Sequence, residues 1–116
     1  MFKKVKIGDD EVPMMAMASV DLYYEKIFGV DPIRLQTEAG NDGVVATKLF
    51  MGMGFVMAKF AELKSREKMR ELNEDDYFDW LDQFDRADYM DALSEIADVY
   101  NSEKEEKSTP KKEADR

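Results

Sequence analysis

The order of apolar and polar positions at the start of the chain is that of a β-hairpin. Residues 5–7 (Val-Lys-Ile) alternate, residues 8–10 (Gly-Asp-Asp) favour a turn, and an apolar run extends over residues 12–17. Alternation on either side of such a turn predicts two antiparallel strands over about residues 3–17. Pro13 has no backbone N–H to donate, so it confines the second strand to an edge or stands among its first residues.

Most of the pattern up to residue 101 repeats every three or four residues, which predicts helices. Ser19 and Asp31 suit helix N-caps, and Gly29 suits the position that follows a helix. The predicted helices cover about residues 20–28, 32–36, 44–71, 74–84 and 86–101. We therefore expect a mainly α (α+β) fold, in which a short N-terminal β-hairpin precedes a small helical bundle and residues 1–101 form a single domain.

The central helix is predicted to be the buried centre of this bundle. From residue 44 to residue 63 the chain is apolar on nearly every side of the helix, as is typical of a helix surrounded by others. Gly52 and Gly54 each weaken such a helix by about 1 kcal/mol relative to Ala. Two glycines at these positions therefore predict either a kink or the close approach of another backbone.

The last two predicted helices carry large apolar residues that we expect to anchor them to the central helix. These structural core residues are Trp80, Leu81, Phe84, Leu93 and Ile96. Residues 102–116 are charged, contain Pro110 and lack any large apolar residue. Because such a segment buries too little apolar surface to fold, we expect a disordered charged tail over these residues.

The net charge of −9 is confined to one region of the chain. Residues 73–101 hold ten acidic side chains against Arg86 alone, whereas residues 1–72 and residues 102–116 are each neutral. A charge run of this kind is most often the solvated face of amphipathic helices, and a negatively charged docking surface is the alternative. The predicted acidic surface consists of Asp75, Asp76, Asp79, Asp82, Asp88, Asp91 and Asp98.

The composition argues against an enzyme, and we expect neither a cofactor nor a metal site. The chain has no Cys and no His, so it cannot assemble a Ser-His pair, a Cys-His pair or a zinc finger. Aspartates at every third position from 79 to 91 diverge around a helix axis instead of converging on one ion. The glycines of residues 52–54 (Gly-Met-Gly) lack the third glycine of a dinucleotide-binding fingerprint.

The charge also disfavours two classes of partner. Nucleic acids and anionic membrane surfaces both attract positive charge, and this chain has a net charge of −9. The most apolar stretch, residues 49–58, is ten residues long, whereas a membrane-spanning helix takes about 20. We therefore expect an intracellular protein that binds neither nucleic acid nor membrane.

Methionine is unusually frequent, with nine residues. Methionine most often fills a core, and the alternative is an adaptable surface that grips apolar segments of other chains. On the second interpretation, apolar residues of the hairpin and central helix contact a client protein. The predicted client-binding residues are Met14, Met15, Met17, Phe50, Met51, Met53, Phe55 and Met57.

Several short motifs occur in an order that resembles one protein family. They are Ile-Phe-Gly-Val-Asp at 27–31, Phe-Val-Met-Ala-Lys at 55–59, Trp-Leu-Asp-Gln-Phe-Asp at 80–85, Leu-Ser-Glu-Ile at 93–96 and Thr-Pro-Lys-Lys at 109–112, with an aromatic residue at Tyr100. As an ordered set covering nearly the whole chain, they resemble the tail assembly chaperones of long-tailed (siphovirus-type) phages that infect Gram-positive bacteria.

This resemblance implies an assembly factor in the cytoplasm of the infected bacterial host that is not part of the mature virion. It would bind the phage tape-measure protein and keep it soluble until tail-tube protein polymerises around it. In many of these phages a ribosomal frameshift makes a longer form that recruits the tail-tube protein, and Lys111-Lys112 marks where A-rich codons would permit one. Whether the chain forms a homo-oligomer is left open.

Two other functions compete with the chaperone interpretation. The first is an acidic DNA mimic that inhibits a DNA-binding protein, which the net charge favours and the neutral residues 1–72 disfavour. The second is a generic helical interaction module.

In the chaperone interpretation, the apolar residues bind hydrophobic faces of an elongated client helix, and the acidic residues of 73–101 meet Lys and Arg on that client.

Overall fold

Two strands and seven helices make up the described part of the chain. The computed structural model describes the backbone of residues 2–108 and the side chains of residues 2–101. The elements are β1 (Phe2–Ile7), β2 (Asp10–Met15), α1 (Val20–Phe28), α2 (Pro32–Ala39), α3 (Gly43–Leu63), α4 (Arg66–Arg70), α5 (Glu74–Leu81), α6 (Arg86–Asp91) and α7 (Leu93–Ser108). The predicted fold class, an N-terminal hairpin followed by a helical bundle, is confirmed.

The hairpin forms one wall of the core. Its strands are antiparallel with Val5 opposite Val12, and Gly8 makes the turn with a positive φ of 62°. Alternation places Val5, Ile7 and Met14 on the same buried face, which packs against α3 and α7. The hairpin is therefore anchored by its inward side chains, as the alternating sequence predicts.

The short helices α1 and α2 begin and end near the predicted signals. Gly29 ends α1 in the left-handed conformation, with φ of 74°. The carboxylate of Asp31 accepts a hydrogen bond from the backbone N–H of Ile33 at 3.0 Å, which caps α2. Ser19 stands at the N-cap of α1, but its side chain makes no capping hydrogen bond. The second helix continues to Ala39, three residues beyond its predicted end.

The predicted helix 44–71 is divided in two. Lys64 adopts a left-handed conformation with φ of 51°, and its N–H donates to the carbonyl oxygen of Phe60. Ser65 then caps α4 by accepting a hydrogen bond from the N–H of Lys68. The change of direction returns the chain to the core, where Met69 is fully buried. No Gly or Pro occurs at the break, so no helix-breaking residue predicts it.

The C-terminal helices also differ from their predicted bounds. The predicted helix 74–84 ends at Leu81 as α5, and the predicted helix 86–101 divides into α6 and α7 at Ala92. Helix α7 continues to Ser108, seven residues beyond the predicted end of the last helix. The remainder of the predicted tail, residues 109–116, lies outside the described residues.

The two central glycines of α3 are explained by side chains that pack against them. A Cβ atom on Gly52 would lie 3.0 Å from the ring of Tyr24, and one on Gly54 would lie 2.5 Å from the hydroxyl of Tyr89. The expected close approach therefore exists, but side chains of α1 and α6 make it, not another backbone. Without a Cβ at these positions, aromatic side chains reach the surface of α3.

The predicted structural core residues lie in or against this core. Trp80 and Ile96 are buried, and Leu81, Phe84 and Leu93 are half-buried against the core. The ring of Trp80 lies in an aromatic cluster, with centroids 5.7 Å from Phe55, 5.1 Å from Phe84 and 5.7 Å from Tyr89. Edge-to-face and tilted packing of this kind stabilises beyond the burial of area alone.

Candidate functional site

Four of the eight predicted client-binding residues belong to the core. Met14, Met53, Phe55 and Met57 are all 0% exposed. The prediction that these four side chains contact a client is therefore wrong for the folded chain, because they offer no surface to another molecule. Their apolar character fills the space between the hairpin and the helices, which is the more frequent use of methionine.

The other four predicted residues do not form one surface. Met15 is half-buried, and Phe50 is half-buried with its ring 5.8 Å from that of Tyr100. Met17 is 41% exposed and lines a cavity between α1, α2 and α7. Met51 lines a different cavity, between α3 and α6. The structure thus separates residues that were predicted to form one client-binding surface.

Helix α3 extends beyond the core at its N-terminal end. Residues 43–51, here called the outer half of α3, include no buried side chain except Leu49, and Val44 is 65% exposed. The carboxylate of Asp42 accepts hydrogen bonds from the N–H groups of Val44 and Val45, at 3.0 and 3.3 Å. This cap satisfies two of the free N–H groups at the helix end, so the outer half is helical without being covered.

The outer half of α3 and α6 together form a groove of about 670 Å³, here called the α3–α6 groove. Its lining consists of Asp42, Gly43, Val44, Thr47, Lys48, Met51, Arg86 and Met90. Met51 and Met90 are half-buried and present the deeper apolar side chains. A volume of this size is within the range of pockets that hold small ligands, about 300–1,000 Å³, and is large enough to receive apolar side chains.

A partly buried hydrogen bond joins the two walls of this groove. The hydroxyl of Tyr89 on α6 donates to the carbonyl oxygen of Met51 on α3 at 2.6 Å. Burial raises the pKa of Tyr89 above its usual value, since the phenolate is disfavoured away from water. The phenol therefore stays a hydrogen-bond donor, and α6 is held in one position relative to the outer half of α3.

The cavity beside Met17 is closed on one side by a polar network. It measures about 430 Å³ and lies between the end of β2 and helices α1, α2 and α7. The hydroxyl of Tyr100 donates to Asp21 at 2.5 Å and accepts from the amide of Gln36 at 3.3 Å. Burial, and then the hydrogen bond to Asp21, raise the pKa of Tyr100 to about 12. These groups already bond to one another, which fits a structural role in joining α7 to α1 and α2.

The predicted acidic surface is mostly exposed. Asp75, Asp79, Asp82, Asp91 and Asp98 are exposed and Asp76 and Asp88 are half-buried. The carboxylate of Asp76 accepts a hydrogen bond from the N–H of Asn73 in a capping box. Asp88 packs against the hairpin turn, where a Cβ on Gly8 would lie 2.7 Å from its carboxylate. These two aspartates therefore have structural roles as well as charge.

Sequence reasoning missed several residues that the structure places at the surface. Val44, Thr47 and Met90 line the α3–α6 groove, and Phe78 on α5 is 55% exposed. The N-cap signal of Asp42 could have marked where the helix begins, but only the packing shows that its first turns lie outside the core. No group of three or more acidic side chains able to hold a metal ion occurs within the described residues.

Helix α3 is long and apolar enough to cross a membrane, alone among the helices of the described chain. The predicted apolar stretch of ten residues is thus part of a helix of 21 residues. Half of its most apolar window is buried by the rest of the fold. The core helix of a globular protein has the same length and composition, so this property is weak evidence for a membrane.

Comparisons with known proteins identify no relative of this chain. Neither a family model, nor a curated protein, nor a solved structure matches it. Its function is therefore inferred from its own residues and their geometry.

Proposed function

We propose that the chain is a phage tail assembly chaperone, which binds the tape-measure protein and keeps it soluble until tail-tube protein polymerises around it. The observation that carries this proposal is the α3–α6 groove, an apolar surface on the exposed side of the outer half of α3. The ordered motifs that resemble this family support it. Because Met14, Met53, Phe55 and Met57 are buried, we propose the groove as the client-binding surface in their place.

The groove suits a helical client. An amphipathic helix binds such a surface by inserting apolar residues that recur every three or four positions, and Met51 and Met90 supply unbranched side chains that adapt to different shapes. Each copy binds with moderate affinity, and several copies along one elongated client increase the total affinity. The exposed aspartates of α5–α7 keep the complex soluble, because like charges disfavour aggregation.

The motifs themselves have structural roles around this surface. Gly29 and Asp31 end α1 and begin α2, while Trp80 and Phe84 pack against Phe55 and Tyr89. The motifs thus describe how the helices are joined and packed, and the client contacts fall on residues outside them.

Co-expression with the tape-measure-like protein encoded downstream tests the proposal. We expect the wild-type chain to bring this partner into a soluble complex, and Val44→Asp to abolish that effect by placing a charge in the groove. Leu22→Asp is the matched control, because Leu22 is 69% exposed and lines a separate cavity beside α4. We expect this control to retain the complex.

Two results would contradict the proposal. If the partner stays insoluble with the folded wild-type chain, the chaperone function is wrong, and competition with DNA for a DNA-binding protein becomes the next experiment. If Val44→Asp and Leu22→Asp both retain a soluble complex, the groove is not the client-binding surface. A longer, frameshift-extended form that recruits tail-tube protein is part of the proposal, and the absence of a slippery heptamer in the gene would exclude it.

A further inference from the structure

The rim of the α3–α6 groove carries two positive charges, whereas the chain as a whole has a net charge of −9. Lys48 on α3 and Arg86 on α6 both line it and both are exposed. Arg86 is the single basic residue among residues 73–101, against ten acidic ones. An apolar groove bordered on each side by a cation therefore lies where the neutral part of the chain meets the acidic part.

Within residues 2–101, these two cations have no carboxylate partner. Among the side chains of residues 2–101, neither Lys48 nor Arg86 forms an ion pair, whereas Lys3 pairs with Glu95 and Lys59 with Glu62. Asp42, the one acidic residue of the groove, already accepts two hydrogen bonds as the cap of α3.

The acidic residues of α6 lie away from this rim. Asp88 and Asp91 line a separate cavity with Lys6 and Glu95, on the side of α6 that faces the hairpin. The charges of Lys48 and Arg86 are thus available to a molecule that enters the groove.

From this arrangement we infer that the groove receives an amphipathic helix whose apolar stripe is flanked by acidic residues. When an apolar stripe docks in the groove, it removes water from the cations at the rim. A cation that loses its water without gaining an acidic partner weakens the complex. Glu or Asp on both sides of the stripe would pair with Lys48 and Arg86. The inference rests on the proposed function for identifying this helix as a segment of the tape-measure protein.

The charge of the whole chain leads to the opposite expectation, which makes the inference testable. Two synthetic helical peptides of equal length share one apolar stripe, and the flanking positions are Glu in one and Lys in the other. A net charge of −9 favours the Lys peptide, whereas the groove rim favours the Glu peptide. By fluorescence anisotropy with the full chain, we expect the Glu peptide to bind roughly fivefold more tightly, with the difference falling as salt is raised.

Paired charge reversals assign the preference to the rim. We expect Lys48→Glu/Arg86→Glu to reverse it, so that the Lys peptide binds more tightly. The matched control, Lys26→Glu/Arg70→Glu, changes the net charge equally at residues that line the cavity beside α4, and we expect it to keep the preference for the Glu peptide. Circular dichroism confirms that both variants are folded before binding is compared.

Other outcomes overturn the inference. Tighter binding of the Lys peptide to the wild-type chain would show that the overall charge determines which peptide binds. An equal loss of the preference for the Glu peptide in both charge-reversal variants would show the same. If the wild-type chain self-associates and Lys48→Glu/Arg86→Glu abolishes this, the groove binds a second copy of the chain. If the wild-type chain binds anionic vesicles and the same double substitution abolishes that binding, the groove binds a membrane.

The proposed function can fail independently of this inference. If Val44→Asp abolishes solubilisation of the tape-measure-like protein and yet no peptide preference is seen, the charge inference is wrong and the function stands. If the Glu peptide binds as expected but the wild-type chain leaves that protein insoluble, the groove chemistry stands and the client is a different one.

Discussion

The two halves of α3 have similar apolar sequences and different environments. Residues 52–63, the inner half, contain seven buried residues in succession from Gly52 to Ala58. The outer half, residues 43–51, has only Leu49 buried. The two halves have different partners. Side chains of α1, α5, α6 and α7 pack against the inner half, while the outer half lies beside α2 and α6 and contacts α7 through Phe50. Apolar composition therefore identifies a helix that needs partners, and the packing of the other elements decides which part obtains them.

The glycines reinforce this difference. In the inner half, Gly52 and Gly54 let the rings of Tyr24 and Tyr89 approach the helix backbone. The outer half has no glycine between its first residue, Gly43, and Met51, and its side chains project into the groove instead. The same helix thus packs internally along its inner half and leaves much of its outer half exposed.

The largest effect is expected from a charge in the inner half. Met53 is 0% exposed, so Met53→Asp would bury a carboxyl group without a partner and leave the volume of the thioether poorly filled. We expect a loss of about 4 kcal/mol or more in the free energy of unfolding, close to the whole stability of a typical domain. Urea denaturation followed by circular dichroism measures it.

A volume-conserving change at the same position is the control for this effect. Met53→Leu should cost less than about 1.5 kcal/mol, since it keeps the site apolar. A folded Met53→Asp variant of nearly wild-type stability would show that the inner half is not a packed core.

A smaller loss is expected from filling the space beside Gly54. The Cβ of Gly54→Ala would lie 2.5 Å from the hydroxyl of Tyr89, and this rigid ring must move and weaken its hydrogen bond to Met51. Overpacking and the weakened bond outweigh the gain of about 1 kcal/mol in helix propensity. We expect a net loss of about 2 kcal/mol in urea denaturation.

Removing the hydroxyl tests the cause of that loss. Tyr89→Phe alone should cost about 1 kcal/mol by deleting a buried hydrogen bond. Combined with Gly54→Ala it should cost less than the sum of the two single changes, because the clash is gone. Strict additivity in this double-mutant cycle would mean that the contact between Gly54 and Tyr89 does not exist.

Much of the fold could be predicted from local sequence signals. Alternation marked the hairpin, and Gly29 and Asp31 marked helix ends that the structure shows with their backbone or capping hydrogen bonds. The break at Lys64 could not be predicted, because a left-handed Lys is uncommon and is stabilised here by the burial of Met69 on the returning chain. Local signals predict an element well when its ends are set by its own residues.

The candidate site was harder to predict because burial depends on distant partners. Met51 and Met53 are two residues apart, yet one lines the groove and the other is fully buried by elements from both ends of the chain. Arg86 was visible in the sequence only as an exception within an acidic run. Arg86 and Lys48 line the same groove because α6 packs beside α3. The periodicity of the sequence does not predict this packing.

Alkaline pH should weaken the packing around the inner half. Burial raises the pKa of Tyr77 to about 12 and also raises that of Tyr89, whereas the unfolded chain titrates near 10. Stability is therefore fully present below pH 10 and falls above it, because the unfolded state then releases protons that the folded state retains. We expect the midpoint of urea denaturation to decline from pH 10 to pH 12.

The Tyr89→Phe variant isolates one contributor to this decline. It should make the fall in unfolding free energy shallower, by at most about 1.4 kcal/mol per pH unit. A decline identical to that of the wild-type chain would contradict this prediction, because it would show that Tyr89 has the same pKa in the folded and unfolded states.

The smallest effect on stability is expected from a charge in the outer half. Val44 is 65% exposed and lies in the first turn of α3, so Val44→Asp removes few contacts and places a negative charge near the positive end of the helix dipole. We expect the free energy of unfolding to change by no more than about 0.5 kcal/mol, while the variant loses client binding. A loss above about 1.5 kcal/mol that depends on protein concentration would instead mean that a second copy covers the outer half. The same substitution would then report on self-association, and the contrast between the two halves of α3 would hold only for the separated chain.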